Sequence, residues 1–97
     1  MPASRMYIYI YYFGVLGVDR DSVEDALDES LAEVGGEVSG AGAGESGGNF
    51  DLILPNDVDI QVARDLVSKV LWDFEFPENT RIVSDTDEWL LGGAHNK

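Results

Sequence analysis

Residues 7–13 read Tyr7-Ile8-Tyr9-Ile10-Tyr11-Tyr12-Phe13. Period-two alternation puts Tyr7, Tyr9 and Tyr11 on one face of a strand, and Ile8, Ile10 and Tyr12 on the other. These residue types are strong strand formers, so a first strand is expected over residues 6–13. With the isoleucines turned toward a core, the tyrosines line the opposite face of the sheet. An aromatic stripe there calls for a cover: a partner, a second copy or a stacked base.

Downstream, Gly14 and Gly17 break the strand pattern. A helix is expected from near Asp21, where Asp21 and Glu24 have capping-box spacing. Val23, Ala26, Leu27, Leu31 and Val34 recur at a 3.6 period, and Asp25, Asp28, Glu29 and Glu33 fill the remaining positions. Gly35-Gly36 supplies a left-handed stop. Residues 37–43 read as a second strand in which glycines alternate at Gly40, Gly42 and Gly44. Glycine weakens a strand, so something is expected to approach this backbone closely.

Glu45-Ser46-Gly47-Gly48 then makes a turn, and residues 50–54 make a third strand that forms a hairpin with the second. Phe50, Leu52 and Leu54 share one face of it, and Asp51 and Ile53 the other. A second helix follows Pro55, capped by Asn56 or Asp57. Its apolar stripe is Ile60, Ala63, Val67, Val70 and Phe74, widened by Leu66 and Leu71, and Pro77 stops it. A short fourth strand is expected over residues 80–84, and the tail from Asp85 carries Trp89, Leu90 and Leu91 before fraying through Gly92-Gly93.

The element order strand-helix-strand-strand-helix-strand, with right-handed crossovers, predicts a single α+β domain over residues 1–97. The expected architecture is a ferredoxin-like βαββαβ two-layer sandwich, ordered over about 6–91. It would have a four-stranded antiparallel or mixed sheet with two helices on one face. Strands one and three are expected to be central and parallel, with the tyrosine stripe in the middle of the open face. Alternatively, Trp89, Leu90 and Leu91 fold back over that stripe and cover it, because an apolar tail needs burial.

At 97 residues one domain is expected, and 44% hydrophobic content suits a folded chain. Nineteen acids against six bases give a net charge of −13. Such a field repels nucleic acid and anionic membranes and speeds encounter with a basic protein. Cysteine is absent, so there is no disulfide framework and no thiolate ligand or nucleophile. The N-terminal Met1-Pro2-Ala3-Ser4-Arg5 is too short and polar for a signal peptide, and no run approaches a membrane span. A soluble, cytoplasmic protein is expected.

Gly42-Ala43-Gly44-Glu45-Ser46-Gly47 matches G-x-G-x-x-G. A dinucleotide site needs that string to leave a strand and open a helix, whereas here a strand follows. Asp57-Val58-Asp59 and Asp85-Thr86-Asp87-Glu88 offer oxygen ligands but lack the EF-hand pattern. The first group reads as acids at a helix start and the second as a solvated loop. No cofactor and no metal are expected. The single histidine, His95, lies in the tail, so no nucleophile–base pair can be assembled and no catalysis is expected. Asp51 beside a tyrosine is the one route to carboxylate chemistry, and a plain Asp–Tyr hydrogen bond is favoured over it. RNA-recognition domains share this topology and stack bases on open-face aromatics, but their basic–aromatic signature is missing here.

Gly40, Gly42, Gly44, Gly47, Gly48, Asn49, Phe50, Asp51 and Leu52 form a glycine-rich hairpin followed by an Asn-apolar-Asp-apolar strand. In this the chain resembles small acidic bacterial proteins of similar layout, some uncharacterised and some immunity proteins of polymorphic toxin systems. The resemblance implies tight binding to a toxin, often a basic nuclease, and brings no catalytic residues. The expected function is therefore an acidic protein-binding module of this kind. Tyr7, Tyr9, Tyr11 and Asp51 would make contact, and Asp25, Asp28, Glu29 and Glu33 would steer. The alternative is a homodimeric small-ligand-binding or regulatory domain that buries the tyrosines between two copies.

Overall fold

A computed structural model describes residues 5–14, 19–44, 47–85 and 87–92. The elements are β1 (Arg5–Phe13), α1 (Arg20–Ala32), β2 (Glu37–Gly44), β3 (Gly47–Pro55), α2 (Ile60–Asp73), β4 (Arg81–Ser84) and β5 (Glu88–Leu90). Together they make an α+β fold with a five-stranded sheet in the order β2-β3-β1-β4-β5, every pairing antiparallel.

The sheet departs from expectation in two ways. Strands β1 and β3 are central, but they are antiparallel rather than parallel. The crossover through α1 brings β2 back in the direction of β1, and the hairpin then reverses the chain, so β3 opposes β1. The tail also contributes a fifth strand, at residues 88–90, that was not expected. Ser84 N–H donates to the Asp87 carbonyl at 2.7 Å, which turns the chain so that β5 pairs with β4. This strand seats Trp89 against the core and buries Leu91 completely.

Alternation along β1 sorts the two faces as read from the sequence. Met6, Ile8, Ile10 and Tyr12 are buried, in one cluster with Val23, Leu27 and Leu31 of α1 and Ala63, Val67, Val70 and Leu71 of α2. Both helices therefore cover the same face. Tyr12 sits in an aromatic nest, 5.7 Å from Phe50 and edge-on to Phe76 at 5.6 Å. Gly48 is required beside it, because a Cβ there would collide with the Tyr12 hydroxyl.

The helix caps fall elsewhere than expected. Asp19, not Asp21, caps α1, with extended backbone and a carboxylate that accepts from the Asp21 N–H. Starting a residue or two earlier brings Arg20 onto the helix, in i,i+4 reach of Glu24 at 4.0 Å. For α2, a turn closed by Val58 N–H to the Pro55 carbonyl occupies Asn56 and Asp57. The cap therefore shifts to Asp59, whose carboxylate accepts from Gln61 N–H at 2.8 Å. This helix ends at Asp73, short of Pro77, where Glu75 takes a left-handed φ of 58°. That reversal returns Phe76 to the core, where it is 2% exposed. At the end of α1, Gly35 supplies the expected left-handed residue, with φ of 81°.

Candidate functional site

The face of the sheet away from the helices is built row by row from strand register. Its central row runs Gly40, Asp51, Tyr9, Val83, Glu88, and the next runs Gly42, Asn49, Tyr11, Arg81, Leu90. Tyr7 lies opposite Ile53, which in turn lies opposite Glu37. Tyr7 is 38% exposed, Tyr11 40%, Phe13 48% and Leu90 50%. The Tyr9 and Tyr11 rings stack at 6.4 Å. Among the described residues nothing covers this stripe. The Trp89–Leu91 segment does not fold over it: Trp89 and Leu91 turn to the helix side, and only Leu90 faces the stripe's side, at the sheet margin.

Asp51 lies beside Tyr9, as parity along β3 requires. Its carboxylate is held by the Asn49 amide, which donates at 2.8 Å, rather than by a tyrosine hydroxyl. Asn49 sits two residues away on the same face of the strand, so it reaches Asp51 without crossing between strands. Both side chains lean toward β2. A Cβ on Gly42 would stand 3.0 Å from Asn49 Oδ1, and one on Gly40 would stand 3.6 Å from Asp51 Oδ2. The groups approaching the alternating glycines are thus the side chains of the neighbouring strand. Asn49 figures in the sequence reading only within the hairpin signature and not among the contact residues, although its i,i+2 spacing from Asp51 was a usable signal. On the far side, Arg81 donates through Nε to Glu88 at 2.8 Å, forming a cross-strand ion pair.

The four steering acids are not on this surface. Asp25, Asp28, Glu29 and Glu33 belong to α1 or its C-cap, on the opposite layer. They also differ among themselves. The Asp28 carboxylate accepts the Val38 N–H at 2.7 Å and ties α1 to β2. Glu29 and Glu33 line a shallow groove of about 230 Å³ between the helices, shared with Lys69 and Asp73.

The G-x-G-x-x-G string joins two antiparallel strands and opens no helix, so it lacks the dipole-lined cradle that a pyrophosphate needs. Glu45 and Ser46 within it lie outside the described residues, as do Gly17, Thr86 and His95. Asp59 is spent on its cap and Glu88 on Arg81. Among the described residues no group of three or more acidic or histidine side chains could hold a metal ion. Among them, too, no helix is long and apolar enough to cross a membrane.

Compared with protein-family models, curated proteins and solved structures, the chain gives no match.

Proposed function

We propose that this chain is a non-catalytic protein-binding module built on a ferredoxin-like sandwich with one added edge strand, acting in the cytoplasm on a basic protein partner. Neutralisation of a toxin, as an immunity protein performs it, is the most concrete form of this role. One observation carries the reading: an uncovered sheet face that exposes Tyr7, Tyr11, Phe13 and Leu90 around a stacked Tyr9–Tyr11 pair. Tyrosine is a favoured interface residue because it joins a large apolar body to a polar tip. The acids of α1 act at a distance, raising the rate at which a basic partner arrives.

The test places a photo-crosslinking residue at Tyr7 or Tyr11, and at the exposed Val62 of α2 as a control. A basic protein captured from the stripe positions and not from Val62 is the expected result. Its association rate should fall about tenfold or more between low and high salt. A salt-independent association rate would sink the steering half of the proposal.

A second reading has its own support. The charges on the open face nearly balance, with Arg5 and Arg81 against Glu37, Asp51 and Glu88. Two copies meeting there would keep their acidic helix layers apart, as a homodimeric ligand-binding or regulatory domain requires. Light scattering across a dilution series separates the two, since a dimer that survives dilution and dissociates on Tyr9→Asp favours the second.

A further inference from the structure

The two margins of the sheet are unequal. Strand β5 is three residues long, whereas β2 runs for eight and pairs only with β3 among the described residues. An edge strand presents a row of backbone N–H and C=O groups, and proteins usually guard such rows with charge, proline or brevity. Past Val38 this strand reads Ser39-Gly40-Ala41-Gly42-Ala43-Gly44, with no charge, no proline and no side chain larger than serine. Protection is confined to its beginning. A bulge interrupts the register between Val38 and Gly40, and Asp28 occupies the Val38 N–H.

We infer that the β2 edge receives an extended, lysine- or arginine-bearing segment of a partner protein as an added strand. This rests on the protein-binding reading above and assigns it a second contact surface and a partner chemistry. An added strand would lie about 4.8 Å beyond β2. Its side chains on the open face would pass over Gly40 and Gly42, which put nothing in the way. At the end of that trough stand the Asp51 carboxylate and the Asn49 amide, already leaning toward the edge. On the other face the strand runs beside α1, which packs against β2 through Asp28. Residues 19–33 carry seven acids against the single base Arg20. Both flanks of the edge therefore select cations. A second copy is disfavoured for the same reason, because pairing β2 with β2 would bring two acidic α1 helices side by side.

The probe is a terminally blocked octapeptide of alternating lysine and threonine, added to the isotopically labelled full chain. Amide shifts and hydrogen exchange are read residue by residue. Saturable binding with at least tenfold slower exchange within residues 39–44 is expected. It should be lost when alternate peptide amides are methylated or when glutamate replaces lysine, and weakened about tenfold by Asp51→Asn. Equal binding by the methylated peptide, or shifts confined to α1 or to Tyr7–Tyr11, would overturn the edge while leaving the protein-binding reading standing. No binding of the lysine peptide would overturn it as well. Concentration-dependent protection of residues 39–44 without peptide would assign the edge to a second copy and overturn the partner proposed. If the edge binds as inferred but the stripe crosslinks nothing, the failure belongs to the stripe.

Discussion

The helix layer and the open sheet face carry opposite kinds of surface. Around α1, residues 19–33 hold seven acids and one base, and residues 56–78 around α2 hold six acids and two bases. The open face holds three acids and two bases, one pair of which is joined as Arg81–Glu88. Most of the net charge of −13 thus belongs to one layer, and the aromatic stripe is a property of the other. A partner seated on the tyrosines does not touch Asp25, Glu29 or Glu33. Those acids work through the long-range field, which salt screens within about a Debye length.

The division is sharpest at two adjacent residues, Tyr11 and Tyr12, which the strand sends to opposite faces. Tyr12 is 4% exposed and packed between Phe50 and Phe76. Tyr12→Ala removes an aromatic from a filled core and should cost about 3–5 kcal/mol in urea denaturation. Tyr11→Ala should cost about 0.5–1 kcal/mol, limited to its stacking on Tyr9. It should instead raise the dissociation rate of any partner held by the stripe. Comparable losses of stability from the two substitutions would mean that the faces are not divided as described.

Within the helix layer, Asp28 should stand apart from its neighbours. Its carboxylate holds the Val38 N–H at the start of β2, so Asp28→Ala should cost about 1 kcal/mol. Asp25→Ala removes one like charge from a crowded helix and should be neutral within about 0.5 kcal/mol. Thermal unfolding of the pair, run side by side, distinguishes an acid that builds the fold from one that only charges it.

The strand alternation, both helix stripes and the glycine hairpin could be read from local pattern, because period and turn chemistry act over a few residues. Asp51 was placed beside the tyrosines by parity alone. The caps were misread because each helix start offers more than one candidate, Asp19 and Asp21 at α1 and Asn56, Asp57 and Asp59 at α2, and at α2 the choice depends on which backbone is spent in the preceding turn. Strand β5 was missed because three residues carry too little pattern. It forms to bury Trp89 and Leu91, a demand set by the finished core. The separation of the α1 acids from the tyrosines was implicit in the expected two-layer arrangement, since helices on one face leave the stripe on the other.

The finest contrast lies between two glycines of one strand that face the same way. At Gly40 an added methyl would make ordinary contact with Asp51, and its φ lies outside the left-handed region. Alanine there should stabilise the fold by up to about 0.5–1 kcal/mol, because glycine gives up more backbone freedom on folding. At Gly42 the methyl would press on Asn49 Oδ1 at 3.0 Å, in a side chain that holds Asp51 with its amide. Gly42→Ala should therefore cost about 1 kcal/mol and release Asp51 from Asn49. Opposite signs for the two substitutions in a urea titration would fix Asn49 as the group that needs the glycine. If both stabilise, Asn49 swings aside freely, and the Asn49–Asp51 pair is not held over the β2 edge.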